Sequence, residues 1–481
     1  MYCLDIYQPK KVMRYFEDVS RIPRESGNEA EICNFVVNFA NERGLEVYRD
    51  EIGNVLIKKP GSKGCEDLPP LLIQGHLDMV CKKTKDSNHD FLKDPIKFRI
   101  EGDYLYGDGT TLGADNAVAI ANMLALADST DLVHPPLELL FTVQEEIGLW
   151  GIKAFDMSRL KSRRMINMDC GDADTMCIGS AGRIKVNITR ECKRVAGSGL
   201  AFTLKVSGLT GGHSGVQIDK GRASAINLLA RVLYRIMERM KLNLVTIQSE
   251  FGSVIPKFAE CLFCVSKDNA DAAADIVNKV YKEAAREYKA TDPDLTFELT
   301  KADSAESMVD DASTTDIIRL LYLLPYGVMR AEPTNGQLIC SCNTEGIAIE
   351  GSTITIPFSS RSTEENISSE YIRKVRLLAE MCGAECKISE TIPAWPVRED
   401  SALQAMCKRV FCQLFGEQLK TEVMHAGVET SFILQQIPDM DIIGIAPTAT
   451  GAHTVEEKLY LPSMKTVWYF LVKLLAEMCV K

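Results

Sequence analysis

The sequence predicts an α/β domain built from two separated stretches of chain, with an α+β segment inserted between them. From residue 71 to about 185, apolar strands alternate with apolar helices, as in LLIQGHLDMV and TLGADNAVAIANMLALAD. The same alternation returns after residue 395 with SALQAMCKRVFCQLFG, MDIIGIAP and SMKTVWYFLVKLLAEMCV. Strands that are apolar throughout indicate a sheet covered by helices on both faces. We therefore expect one discontinuous domain over residues 1–185 and 396–481, and a second domain over 186–395.

The N-terminal stretch predicts two helices, two short strands and then three buried strands. Helical periodicity is present in PKKVMRYFEDVSRI and in EAEICNFVVNFANERG, which ends at Gly44. The segment GLEVYRDEIGNVLIKK alternates like a pair of strands around a turn at Gly53–Asn54. The buried strands are predicted in LLIQGHLDMV, LELLFTVQEE and RRMINMDC.

The inserted segment has a different pattern. Its strands have shorter apolar runs, as in LAFTLKVSG, LVTIQSEFG and AECLFCVS, and GRASAINLLARVLYRIMERM and NADAAADIVNKVYKEAAREYK are amphipathic helices. A similar order recurs from LTFELTK to ECKISET. Mixed strands and amphipathic helices of this kind are typical of an α+β domain.

Composition excludes several classes of protein. The 481 residues are 46% apolar and 25% charged, which is ordinary for a globular protein. With 55 basic and 66 acidic residues the formal net charge is −11, so we expect no nucleic-acid partner. The apolar segment near the end contains Lys473 and Glu477 and is too short and too charged to span a bilayer. The N-terminus does not resemble a signal peptide and the 16 cysteines are scattered, so we expect a cytoplasmic location.

Polar residues that could perform chemistry follow the predicted buried strands. His76 and Asp78 are two residues apart, a spacing that on a strand places both on one face, where a carboxylate can orient an imidazole. Asp115 begins the apolar helix and equally suits a helix N-cap. Each residue alone also has an ordinary explanation, such as an exposed loop histidine.

Further carboxylates and a second imidazole complete the set. Glu145 and Glu146 end one predicted strand, where one could bind a cation and the other act as a base, or both could be solvated. Asp169 ends the next strand, and His453 follows the last. Two imidazoles with several carboxylates and no thiolate suit zinc, manganese or cobalt, and two such ions could share one bridging carboxylate.

The motifs GHLD, GADNA, QEEIG, NMD and GAH occur in the order seen in the di-zinc aminoacylase/carboxypeptidase superfamily. Within it the sequence most resembles the aminoacyl-histidine (Xaa-His) dipeptidase branch, through IPRESGNE, DGTTLGADN, GLTGGHSG, HAGVE and GAHTVEEK. The resemblance extends nearly from end to end. It implies a mixed-sheet zinc-exopeptidase catalytic domain over 1–185 and 396–481 with a lid domain over 186–395.

The resemblance also implies a role for each site residue. One metal ion would be bound by His76 and Asp169, the other by Glu146 and His453, with Asp115 bridging both. The remaining implied features are Asp78 orienting His76, Glu145 as the general base for the attacking water, and a cis peptide bond after Asp115.

Three residues are implied in substrate binding, two of them in the inserted segment and one, His425, after it. His213 in GGHSG would contact the substrate carbonyl and stabilise the oxyanion, although the glycines around it could simply mark a turn. Arg361 in IPFSSRS would bind the C-terminal carboxylate of the substrate through its bidentate guanidinium. His425 in HAGVE is assigned to the substrate pocket or to a structural role.

The chain departs from the branch pattern near the expected substrate site. Ser253 replaces an Asn and Lys257 an Arg, while Thr430 and Ser431 replace a Cys-Gly pair. These departures leave a preference for C-terminal histidine open. We expect hydrolysis of dipeptides that have a free C-terminal carboxylate by a homodimer formed through the lid, with no membrane partner. The alternatives are an N-acyl amino acid amidohydrolase and an inactive metal-binding scaffold.

Overall fold

A computed structural model describes residues 2–480 and divides the chain into two compact units. The first unit contains the residues up to Ser180, Trp395–Met424 and the residues from Val428 onward, and the second contains Ala181–Ala394 with His425–Gly427. None of the helices in this described range is long and apolar enough to cross a membrane.

The first part of the first unit contains eight strands and four helices. In chain order these are α1 (Lys10–Ser20), α2 (Ala30–Glu42), β1 (Glu46–Arg49), β2 (Val55–Lys59), β3 (Leu71–His76), β4 (Phe98–Glu101), β5 (Tyr104–Gly107), α3 (Ala114–Asp128), β6 (Leu137–Thr142), α4 (Trp150–Ala154), β7 (Arg164–Asn167) and β8 (Thr175–Ser180). The two predicted N-terminal helices and the strand pair flanking Gly53–Asn54 are therefore confirmed.

The second unit follows with twelve strands and four helices. These are β9 (Gly182–Glu191), β10 (Arg194–Ala196), β11 (Leu200–Ser207), α5 (Ala225–Met237), β12 (Leu242–Ser249), β13 (Ala259–Val265), α6 (Ala270–Glu287), β14 (Thr296–Ala302), β15 (Ser307–Val309), α7 (Asp311–Leu323), β16 (Gly327–Ala331), β17 (Leu338–Thr344), β18 (Ala348–Glu350), β19 (Thr353–Ser362), α8 (Glu365–Met381) and β20 (Glu385–Ile392). Ten of the strands form one antiparallel sheet, and the apolar faces of the four helices belong to the same core as its buried residues.

The chain then returns to the first unit. Its last elements are α9 (Ala402–Phe415), β21 (Lys420–Met424), α10 (Thr430–Gln436), β22 (Asp441–Gly444), β23 (Ala449–Thr450), β24 (Lys458–Tyr460) and α11 (Leu461–Glu477). The second unit begins at Ala181 rather than at 186, because Gly182 pairs with Ser362 at the end of the β9–β19 ladder. The second unit also includes His425–Gly427, because Gly427 packs closely against Ile392. The sequence places these three residues in the other domain.

The first unit is built on a mixed eight-stranded sheet in the order β1-β2-β6-β3-β7-β22-β8-β21. Its four central strands, β6, β3, β7 and β22, run parallel. β3, β6 and β22 are buried at every residue, which explains their continuous apolar sequences. All of α3 except Asp115 and Asp128 is buried as well, which explains why this helix is apolar on nearly every face. The predicted mixed α/β fold is confirmed.

Candidate metal centre and active site

The carboxyl ends of the four central strands bring the predicted metal-binding residues together. His76 is the last residue of β3, Glu145 and Glu146 follow β6, Asp169 follows β7, and His453 lies in the loop beyond β22. The carboxyl ends of neighbouring parallel strands meet at one edge of a sheet, where α/β proteins bind ligands. Residues from five distant segments of sequence, including Asp115 at the start of α3, therefore converge at this edge.

Asp115 lies between the two imidazoles. Its Oδ1 is 3.0 Å from His76 Nε2 and its Oδ2 is 3.3 Å from His453 Nε2. His76 Nε2 is also 3.2 Å from Asp169 Oδ1, and His453 Nε2 is 2.9 Å from Glu146 Oε1. The arrangement thus has two halves, one with His76 and Asp169 and one with His453 and Glu146, and each half faces one oxygen of Asp115.

The alternative explanations for single residues do not hold. His76 is 1% exposed and is not in a solvated loop. Asp115 does not cap α3, because the N-cap position belongs to Gly113 and it is the Asn116 side chain that accepts a main-chain N–H of the helix, that of Ala119. The Glu146 side chain is only 5% exposed and is not a solvated acid. The peptide bond between Asp115 and Asn116 is cis, as the resemblance implies.

The donor set fits divalent cations. Ligand atoms of His76, Asp115 and Glu146 lie within 4.8 Å of one another. Oε1 of Glu146 is buried and accepts no hydrogen bond, although His453 Nε2 is close to it. The contacts with Asp115 and Glu146 raise the pKa of His453 to about 10, which reflects the negative potential of the clustered carboxylates. Metal binding would release the imidazole protons, and three carboxylates with two neutral imidazoles would then suit two divalent ions of the zinc, manganese or cobalt type.

Asp78 organises the turn that carries the two glutamates. It is fully buried, and its carboxylate accepts hydrogen bonds from the main-chain N–H groups of Glu145 and Glu146 and from Ser26 Oγ. Its Oδ1 is 3.3 Å from His76 Nδ1, which also lies 3.1 Å from the Asp78 carbonyl oxygen. Burial alone would raise the pKa of Asp78, but these contacts lower it below its usual range. The charged carboxylate therefore orients both His76 and the turn.

A second buried acid supports the same turn from the other side. Glu29 Oε1 accepts the main-chain N–H of Gln144, whose φ of 53° lies in the left-handed region, and the N–H of Gly27. Three consecutive N–H groups are thus bound by two carboxylates, which fixes the direction of the Glu145 side chain. Burial, together with the charges of Asp169 and Glu146, raises the pKa of Glu145 well above the usual value. A carboxylate in such a setting has the basicity that a general base needs.

A buried polar network that the sequence motifs did not predict adjoins Asp169. Gln74 Nε2 donates to Glu429, Asn167 Nδ2 donates to Gln74 Oε1, and Asn167 Oδ1 accepts the N–H of Asp169. Thr142 Oγ1 also donates to Glu429. Burial raises the pKa of Glu429 to about 8. The available signal was a polar residue within an otherwise apolar strand, as in LLIQGH and RRMIN.

The three residues implied in substrate binding, His213, Arg361 and His425, belong to the second unit. Nδ1 of His213 accepts main-chain N–H groups from Gly215 and Val216, which places the ring proton of the neutral imidazole on Nε2. His213 can therefore donate from Nε2 to an oxygen. The glycines around it also form a turn, since Gly211 and Gly212 have positive φ.

Arg361 lies in a row of polar residues across the sheet of the second unit. It is opposite Ser341 on β17 and opposite Arg183 on β9, and Ser341 Oγ is 2.7 Å from His425 Nε2. Arg183 makes an ion pair with Glu390 and donates to Ser253 Oγ. Arg361 is 4% exposed, and its Nε has no hydrogen-bond partner. A buried guanidinium of this kind is suited to an incoming carboxylate.

The charges in this row act on His425 and Arg361. Burial, and secondly the charge of Arg361, lowers the pKa of His425 to about 4, so this imidazole is neutral at physiological pH. Burial and the charge of Arg183 lower the pKa of Arg361 to about 10. At neutral pH Arg361 thus remains a cation.

Comparisons with known proteins agree with the motifs. The model of Peptidase family M20/M25/M40 matches residues 72–477. The cytosol non-specific dipeptidase of Escherichia coli (strain K12) is 30% identical over 477 residues, covering 98% of each chain. The crystal structure of aminoacylhistidine dipeptidase from Vibrio alginolyticus superposes with a TM-score of 0.84 at 30% identity, again covering 98% of each chain.

A more distant structure shows the fold alone. A tripeptidase from Staphylococcus aureus superposes with a TM-score of 0.59 at 16% identity, over 98% of this chain and 99% of that one. The family match and the two relatives confirm the resemblance to the dipeptidase branch. The chain belongs to peptidase family M20/M25/M40 and is a metallopeptidase.

Proposed function

We propose that this protein hydrolyses dipeptides that have a free C-terminal carboxylate, using two divalent metal ions. The observation that carries the proposal is Asp115, whose two oxygens each face a different imidazole at the carboxyl edge of the parallel strands. The dipeptidase names of the two full-length relatives support the choice of substrate.

In this proposal the chain holds the ions with five side chains. His76 and Asp169 would hold one ion, Glu146 and His453 would hold the other, and Asp115, which contacts both imidazoles, would serve both. Bound ions of this type polarise a carbonyl group and lower the pKa of water towards neutrality. We propose zinc as the native metal, with manganese or cobalt as the alternatives that the same ligands accept.

The residues around the ligands move the proton and orient the groups. Glu145 takes a proton from the attacking water and passes it to the leaving amine, which its raised pKa allows. Asp78 keeps His76 and the Glu145 turn in place through the contacts described above.

The second unit supplies the groups that recognise the substrate. His213 donates from Nε2 to the carbonyl oxygen of the scissile bond, where negative charge develops. Arg361 binds the C-terminal carboxylate, and His425 contributes to the same pocket beside Ser341. We propose that the second unit, predicted from the sequence as 186–395, is a lid domain, and that the protein is a cytoplasmic homodimer formed through it.

Hydrolysis of a panel of unblocked dipeptides, including β-alanyl-histidine, tests this proposal. Metal-free protein is reconstituted with Zn²⁺, Mn²⁺ or Co²⁺, and the same concentrations of N-acetylated amino acids are assayed in parallel. We expect cleavage of dipeptides and little cleavage of the acetylated compounds. Faster cleavage of the acetylated compounds would show an amidohydrolase instead. Tightly bound metal with no cleavage of either class would show an inactive scaffold.

A further inference from the structure

A buried arginine near the N-terminus joins two of the loops that carry the metal-binding residues. Arg24 is 1% exposed, and its Nη1 donates to the main-chain carbonyls of Leu77 and Asp78 at 3.1 and 2.9 Å. Its Nη2 donates to the carbonyl of Gly113 at 2.5 Å. The guanidinium therefore ties the turn that follows His76 to the loop that precedes Asp115.

A buried glutamate binds the same loop from the opposite direction. Glu457 is 2% exposed, and its carboxylate accepts the main-chain N–H groups of Leu112, Gly113 and Asp115 at 2.8, 2.9 and 3.2 Å. A carboxylate that accepts several N–H groups is a strong anchor, because leaving these donors buried without a partner would be costly.

Gly113 shows how closely the loop is held. Its N–H is bound by Glu457 and its carbonyl by Arg24, and its φ is 69°. A Cβ at this position would lie 2.5 Å from Arg24 Nη2 and 2.7 Å from Met79 Sδ. The GADN motif therefore needs glycine here because the arginine occupies the place of a side chain.

Glu457 also belongs to the loop that carries His453. The N–H of Thr454 donates to the carbonyl of Gly451, and the N–H of Glu457 donates to the carbonyl of Thr454. These turns keep Glu457 at a fixed place relative to His453. One carboxylate thus connects the segment of the second imidazole with the segment of Asp115.

We propose that Arg24 and Glu457 are positioning residues that place the Asp115 carboxylate between His76 and His453. This inference rests on the proposed two-metal function. Because Asp115 would serve both ions, displacement of its loop would weaken the binding of both ions together. Loss of a residue that holds only one ion would weaken mainly the binding of that ion.

Metal titration of the full-length protein tests the proposal. Zn²⁺ is added to metal-free wild type, Glu457→Gln and the matched control Glu456→Gln, which changes an exposed neighbour. Changes to groups that orient metal ligands typically cost about 10- to 100-fold in metal affinity. We expect Glu457→Gln to bind both zinc ions more weakly by about this factor. The control should bind two ions with the affinity of the wild type. Thermal unfolding of each metal-free variant is measured as well, since a purely structural role would lower that midpoint and leave the affinity unchanged.

Two further variants keep the proposal testable if Glu457→Gln does not fold. Glu457→Asp retains the charge but shortens its reach, and Arg24→Lys retains the charge but cannot span carbonyls on two loops as a guanidinium does. We expect both to lose zinc affinity at both ions. Wild-type affinity in the folded variants would overturn this inference alone. Failure of the wild type to bind any divalent ion would overturn the proposed function.

Discussion

Oδ1 of Asp78 accepts the main-chain N–H of Glu145 at 3.1 Å. The same carboxylate lies against His76 Nδ1, so one buried charge fixes an imidazole of the candidate metal centre and the backbone of the proposed base. The base and the metal centre therefore share one support. Changes to Asp78 should affect metal binding and proton transfer together, whereas changes to the Glu145 side chain should affect only proton transfer.

Replacing Glu145 by Gln should abolish turnover while metal content stays at the wild-type level. Gln cannot accept the proton, and general-base catalysis contributes about 10²- to 10⁴-fold to the rate. Turnover of β-alanyl-histidine and metal analysis of the same preparation would check this. Glu51→Gln, an exposed acid, serves as the control. Turnover close to wild type would remove Glu145 as the base.

Replacing Asp78 by Asn should lower both zinc affinity and kcat, each by about 10- to 100-fold. The amide loses one of the two carboxylate oxygens that bind Ser26 and the main-chain N–H groups of Glu145 and Glu146. Zinc titration and single-turnover kinetics on one batch would measure the two effects. A decrease in kcat with unchanged zinc affinity would contradict the shared support.

Replacing Arg361 by Met should weaken selection for a free C-terminal carboxylate. Hydrogen bonds to charged groups contribute about 1.5–3 kcal/mol, which corresponds to roughly 10- to 150-fold in kcat/KM. The wild type and the Arg361→Met variant are each assayed with a dipeptide and with the C-terminal amide of the same dipeptide. The loss should be confined to the free acid, since the amide lacks the carboxylate. Equal losses for both substrates would assign Arg361 to the structure of the second unit.

Protonation of His425 should destabilise the protein as the pH falls. Burial and the charge of Arg361 lower the folded-state pKa of His425 from 6.5 to about 4. Of the other nearby groups, His213 also lowers this pKa and Asp219 raises it. Between these values the unfolded chain binds the proton and the folded chain does not, so stability rises with pH from about 4 to 6.5. At about 1.4 kcal/mol per pH unit over this range, the contribution reaches at most about 3.5 kcal/mol.

Urea unfolding of wild type and His425→Gln at several pH values in this range would measure that contribution. The wild type should lose stability more steeply than the variant on acidification, because the variant cannot take up the proton. Parallel curves for the two proteins would show that His425 does not contribute.

Removing the metal ions should lower the thermal midpoint of the first unit. A ligand at 100 times its dissociation constant stabilises the folded state by about 2.7 kcal/mol. Differential scanning calorimetry with a chelator, followed by Zn²⁺, should show a decrease and then a recovery. Asp115→Asn should respond to neither addition, and a full wild-type response in this variant would contradict the bridging role.

Local patterns in the sequence were enough to predict the sheet core and the strand ends at which the proposed metal-binding residues lie. β3 and β6 are buried along their whole length, and their apolar runs and polar ends are visible without a structure. The parallel order then requires the strand ends to meet, which brings His76 and Glu146 to one edge. The pairing of the two imidazoles around Asp115 was implied by the motif set, and their role as metal ligands stays a prediction.

The supporting contacts could not be predicted in the same way, because they join segments far apart in sequence. Arg24 binds carbonyls near residues 77 and 113, and Glu29 binds the N–H of Gln144. No local spacing encodes such partners. The transfer of His425–Gly427 to the second unit has the same origin, since a contact with Ser341 fixes His425 there.

The interrupted course of the first unit has a consequence during protein synthesis. His76, Asp115, Glu146 and Asp169 all precede the second unit in the chain, whereas His453 follows it. A nascent chain therefore carries the entire second unit before its last proposed ligand leaves the ribosome. The ion proposed at Glu146 and His453 can thus be bound by its full set of residues only after the second unit has been synthesised, whereas the ion proposed at His76, Asp115 and Asp169 needs no later residue.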